Sequence, residues 1–126
     1  MEAVMNTLIN WFEIPVADYE RATRFYEEVF GVSLRHEAMG PMQFGLFPNE
    51  EPATGGALCK AEHMQPGPGG SLIYLNGGDD LATPLGRVEA AGGKVVMPKT
   101  FLSEKIGSIA IFQDCEGNHI GLHSMG

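Results

Sequence analysis

The chain is laid out twice. Gly31 finds a counterpart in Gly92 or Gly93, Phe47 in Phe112 and Leu58 in Leu122, each pair separated by roughly 61–65 residues. A near-constant offset across three landmarks indicates duplication of one structural unit. Each copy reads as one strand, one helix and three further strands. A single helix covers only one face of its sheet, so the other face must be covered from elsewhere or line a cavity. The 126 residues suffice for one domain with one core. The expected layout of that single domain (1–126) is a first βαβββ unit over 7–60, a connector over 61–70 and a second unit over 71–124.

The punctuation supports this reading. Thr7 to Pro15 is rich in strand formers and ends at a proline. Asp18 offers a side-chain oxygen as helix N-cap. Ala22, Phe25, Tyr26, Val29 and Phe30 then fall at helical spacing, and Gly31 stands where a left-handed cap needs no Cβ. Strands follow over Val32–Ala38, Met42–Phe47 and Gly55–Lys60. The segment from Ala61 to Gly70 has prolines and glycines but no periodicity. In the second copy Ser71–Asn76 is a strand. Asp79, Asp80 or Thr83-Pro84 begins a helix marked by Leu85, Val88 and Ala91 and ended by Gly92-Gly93. Val95–Met97, Ile106–Gln113 and His119–Ser124 complete the set, the last two joined by a turn over Asp114 to Asn118.

Charge narrows the partners. A formal net charge of -8 disfavours nucleic acid and anionic membranes, both of which need a basic surface. No apolar run approaches the roughly 20 residues that cross a bilayer. The start, Met1 to Asn6, lacks the basic and apolar stretches of a signal peptide, so a cytoplasmic location is expected. Two cysteines far apart, Cys59 and Cys115, suit reduced thiols in that compartment.

Three segments carry a family resemblance: Phe12 to Asp18 followed by Arg21-Ala22 and Phe25-Tyr26; Glu89 to Val95; and Ile111 to Leu122. In these the chain resembles the vicinal oxygen chelate superfamily of glyoxalases, bleomycin-resistance proteins and extradiol dioxygenases, across nearly its whole length. The resemblance implies an α+β fold of two βαβββ units whose curved mixed sheets form a cup. It also implies, in the metal-dependent members, four side chains that bind one divalent ion for Lewis-acid chemistry on a chelating substrate.

Carried onto this sequence, those ligand positions fall on Trp11, Ala57, Leu72 and Gly121, and none of these side chains binds a metal. No metal or other cofactor is therefore expected. His119 and His123 resemble a helical metal pair, but on a strand four residues span about 13 Å. A different metal site would need Glu13, Cys59 and His119 or His123 to converge from separate strands. His36 reads as part of an exposed strand face with Arg35 and Glu37, and His63 as part of the connector.

Alternation along the first strand sends Ile9, Trp11 and Glu13 to the cavity and Phe12 and Ile14 to the helix layer. Glu13 becomes a carboxylate in an otherwise apolar concavity, with Tyr74 as its counterpart in the second unit. The ligand-binding candidates are Trp11, Glu13, Tyr74, His119 and His123. Glu13 and Tyr74 are also the candidate catalytic pair, with burial raising the carboxylate pKa as base chemistry requires. Met39, Met42, Met64 and Met97 read first as core filler. Cys115 has no neighbouring base to make it a nucleophile. Three functions stay open, one of them a structural or regulatory dimer whose cup is occluded. Another is a metal-free module that binds a small, partly aromatic molecule. The last is a glyoxalase- or dioxygenase-type enzyme using Glu13 with a divergent or absent metal. Open sheet edges favour a homodimer.

Overall fold

In the computed structural model, which describes residues 7–126, the first unit runs β1 (Trp11–Pro15), α1 (Tyr19–Phe30), β2 (Arg35–Met39), β3 (Met42–Leu46) and β4 (Gly55–Lys60). The second runs β5 (Tyr74–Asn76), α2 (Ala82–Leu85), β6 (Lys94–Ser103), β7 (Gly107–Gln113) and β8 (His119–Ser124). Each unit forms its own four-stranded mixed sheet, in the orders β1-β4-β3-β2 and β5-β8-β7-β6. In both, the first and last strands pair in parallel and the rest antiparallel. The same permuted order in both halves is the duplication read from the sequence.

Helix α1 forms where its signals stand. The Asp18 carboxylate accepts from Arg21 N–H at 3.1 Å. At the other end Gly31 takes φ 65° and returns its N–H to the Glu27 carbonyl, a conformation open to glycine without a Cβ clash. Ala22, Phe25, Tyr26 and Val29 are buried. They meet Ile14 and Leu58 of the first sheet and Ala110, Phe112, Ile120 and Leu122 of the second in one core. The helix layer thus joins the two units, and no helix among the described residues covers the opposite face of either sheet.

The second unit departs from expectation in its helix. Only Ala82–Leu85 is helical, and turns continue to Gly92. Leu81 caps it without a side-chain bond, and Gly86 follows at once, where helix costs about 1 kcal/mol relative to alanine. Asp80, one of the expected caps, accepts from Ala82 N–H at 2.9 Å. Leu81 and Val88 nonetheless reach the core. Strand β6 runs to Ser103, well past the expected Met97, with register shifts along its pairing with β7. Strands β1, β2 and β5 begin later than their patterns suggested, so Ile9 and Leu72 lie outside them. None of Met39, Met42, Met64 and Met97 is buried, and Met39 is 65% exposed. The core-filler expectation fails because these residues sit on the uncovered faces, at an edge or in the connector.

The turn between β7 and β8 fastens the units together. Asp114 is buried, and its carboxylate accepts from Glu116 N–H, Asn118 N–H, the Tyr26 hydroxyl (2.7 Å) and the Asn118 amide. Asn118 also donates to the Pro15 carbonyl at 2.8 Å. The Glu116 carboxylate accepts from Ala17 and Asp18 N–H groups and pairs with Arg21. The strand-to-helix junction of the first unit is therefore held by side chains of the second.

Candidate functional site

Strand alternation sets the site. Along β1, Phe12 and Ile14 pack toward the helix layer, and Trp11 and Glu13 emerge on the uncovered face, as the pattern predicted. The Trp11 Nε1–H donates to Glu13 Oε2 at 3.3 Å. The parallel register sets Trp11 beside Gly55 and Glu13 beside Ala57. In the second unit Tyr74 lies beside Gly121 and Asn76 beside His123.

Two concavities open on these faces. One, of about 460 Å³, lies between β1, β8 and the connector; Glu13 and His119 line it with Gln65, Ser71 and Asn118. The other, of about 600 Å³, is lined by Tyr74, Asn76, Asp79 and His123. The structure therefore brings Glu13 together with His119, and Tyr74 with His123, while the expected Glu13–Tyr74 pair divides between two cavities. Nor is the Glu13 concavity otherwise apolar: the connector and the β8 turn bring amides and a hydroxyl to it. Glu13 is exposed in the single chain, so the burial expected of a general base is not supplied by one copy.

The histidines are engaged. His119 Nε2 lies 3.3 Å from the Gln113 side-chain oxygen, and His123 Nε2 lies 2.5 Å from the Ile106 carbonyl. Both partners are acceptors, so each ring donates from Nε2. His36 is exposed, as expected, and its Nδ1 is bonded to the Tyr19 hydroxyl. The thiols are unreactive by environment. Burial pushes the Cys115 thiol up to about 11, with Asp114 next in effect. Burial and then the Glu13 charge raise Cys59.

The metal positions implied by resemblance can be tested against this geometry. Ala57 and Gly121 lie on the last strand of their units, beside Glu13 and Tyr74. A Cβ built on Gly121 would stand 2.4 Å from the Tyr74 ring, so the phenol fills the space a ligand side chain would need. A Cβ on Gly55 would stand 3.0 Å from the Trp11 ring. Aromatic rings from the first strand of each unit thus lie over glycines of the last. Among the described residues no group of three or more His, Cys, Asp or Glu side chains stands close enough to hold an ion. The residues present do not fit the family's metal, and Glu13, Cys59 and the two β8 histidines do not make a substitute. Pattern reading missed both aromatic–glycine contacts, although the glycines in strands at 55 and 121 are the signal of close approach.

The comparisons agree with this architecture. A protein from Didymella fabae described as a glyoxylase-like domain-containing protein is 31% identical over 120 residues, covering 91% of each chain. TnmS3, an antibiotic binding protein from Streptomyces sp. CB03234, is 27% identical with a TM-score of 0.68, covering 97% of this chain and 98% of that one. A variant of glyoxalase I from Zea mays superposes with a TM-score of 0.70 at 22% identity, and this chain spans 45% of its length. The family model described as Glyoxalase/Bleomycin resistance protein/Dioxygenase superfamily matches residues 8–122. With that match, the fold and the paired mixed sheets in agreement, the chain belongs to the glyoxalase/bleomycin resistance protein/dioxygenase superfamily.

Proposed function

We propose that this chain is a metal-free binding protein that holds a small, partly aromatic organic molecule on its uncovered sheet faces. Trp11 provides the flat apolar surface and Glu13 the polar anchor, with His119 beside it; Tyr74 and His123 serve the second concavity. The observation that carries this reading is the Tyr74 ring over Gly121, which occupies the place where the family sets a ligating side chain and which such a side chain would have to displace. The binding of an antibiotic by a relative of nearly equal length is in keeping with it.

A homodimer belongs to the same proposal. Trp11, Tyr74 and Phe101 are 45%, 47% and 64% exposed in the single chain, and a second copy set against these faces would remove them from water. Cys59 and Cys115 form no disulfide with each other, in keeping with the cytoplasmic location expected from the sequence. No helix among the described residues is long and apolar enough to cross a membrane.

The test is metal analysis of purified protein, light scattering for mass, and titration of Trp11 fluorescence with a panel of planar small molecules. The expected result is no stoichiometric ion, the mass of two chains and saturable quenching. One tightly held divalent ion per chain overturns the metal-free reading, and a mass of one chain at micromolar concentration removes the dimer.

A further inference from the structure

The cavity between β1, β8 and the connector has a one-sided chemistry. Glu13 is the only residue of formal charge among the described residues that line it; no lysine or arginine does. Of the remaining polar side chains, Asn118 and His119 already have partners. Asn118 spends both ends of its amide, donating to the Pro15 carbonyl and the Asp114 carboxylate and accepting from Gly67 N–H at 2.9 Å. His119 commits its Nε2 hydrogen to Gln113. Glu13 takes one indole N–H on Oε2, and the structure records no partner for Oε1 among the described residues. Gln65 and Ser71 are the only side chains there with an uncommitted donor.

We infer that this cavity selects an organic cation: a planar molecule bearing a protonated amine or amidine, which donates to Glu13 while its ring system lies against the apolar wall that Pro15 and Ile73 give the cavity. This deepens the binding reading above and rests on it. A hydrogen bond from a cationic donor to a carboxylate is roughly twice as strong as a neutral one. An anionic ligand would meet Glu13 with no compensating cation. The chain's net charge of -8 favours encounter with the same class of molecule.

The experiment is calorimetric titration of the whole protein with three planar probes of one shape: proflavine (a cation at neutral pH), acridone (neutral) and acridine carboxylate (an anion). Proflavine is expected to bind about tenfold or more tighter than acridone, with the carboxylate weakest. Glu13→Gln is expected to collapse the proflavine-to-acridone ratio. Glu28→Gln, which removes the same charge from the exposed side of α1, is expected to preserve it. Equal affinity for proflavine and acridone overturns the inference and leaves the binding reading standing. So does a ratio that survives Glu13→Gln, or one that Glu28→Gln collapses equally. Failure of all three probes to bind overturns the binding reading, and the inference with it.

Discussion

Replacing Tyr26 with phenylalanine should destabilise the wild-type protein yet stabilise one that already lacks the Asp114 carboxylate. Tyr26 is fully buried and Asp114 is 2% exposed. Their 2.7 Å hydrogen bond is one of four that the carboxylate accepts. Tyr26→Phe removes one donor from a buried charge, a loss of about 1.5–3 kcal/mol. Asp114→Ala removes all four bonds. Asn118 keeps its bond to Pro15, but the Tyr26 hydroxyl is orphaned in a dry core, and the total cost is about 3–5 kcal/mol. In that background Tyr26→Phe deletes the orphan and should return about 1 kcal/mol or more. Urea unfolding of the four proteins of the cycle, followed by circular dichroism, measures the coupling. If Tyr26→Phe costs the same in both backgrounds, the hydrogen bond does not hold the units together as argued.

Further expectations test other joints of the structure. The folded-state pKa of Tyr26 is raised well above its ordinary 10.0 by burial and then by the Asp114 charge. The unfolded chain therefore loses that proton first, and stability should fall as pH rises past about 10 in an alkaline unfolding series; a flat profile there would refute it. The Cys115 thiol, pushed from 9.0 to about 11, should be alkylated slowly at pH 9 in the folded protein and quickly once urea unfolds it, as mass spectrometry after a timed iodoacetamide pulse would show. Gly56→Ala should cost more than Gly121→Ala. Each Cβ would meet a ring, at 2.2 Å for Phe12 and 2.4 Å for Tyr74, but Phe12 is stacked on Phe47 and cannot swing away as the half-exposed Tyr74 can. The expected losses in urea unfolding are about 2–3 and about 1 kcal/mol respectively; the reverse order would contradict the packing.

What the sequence revealed and what it hid divide along one physical line. Helix α1 was legible to the residue at both ends because its cap, its apolar face and its terminating glycine are local signals. The inward and outward assignment of Phe12, Glu13 and Ile14 was legible because alternation along a strand is local too. The rule that fails is the one that assumes propensity acts alone. Leu85, Val88 and Ala91 have helical spacing, yet α2 stops at Leu85 where Gly86 follows, and Leu81 and Val88 reach the core through turns instead. The partition of Glu13 and Tyr74 was hidden for another reason. By duplication they are equivalents, and equivalence seemed to imply a shared cavity. Which cavity a residue lines depends on the third segment laid beside it. Here that is the connector, from which Gln65, Gly67 and Ser71 come. A Pro- and Gly-rich stretch with no period carries no sign of where it will rest.

The same distinction explains why the loss of the metal positions is more than a list of missing donors. A reader of the sequence sees tryptophan and glycine where imidazole and carboxylate would stand, and a single further substitution would seem able to restore either. The parallel registers add what the sequence does not hold, that Trp11 lies over Gly55 and Tyr74 over Gly121. A carboxylate introduced at Gly121 would have to displace the Tyr74 ring, and a larger residue at Gly55 would press on the Trp11 ring. Aromatic and glycine are thus complementary in each unit, and reversing one without the other costs packing. The uncovered faces are built around rings set over glycines, with Glu13 beside the first of them, and this construction, rather than the absence of any one ligand, is the physical ground for reading them as a surface for an organic molecule.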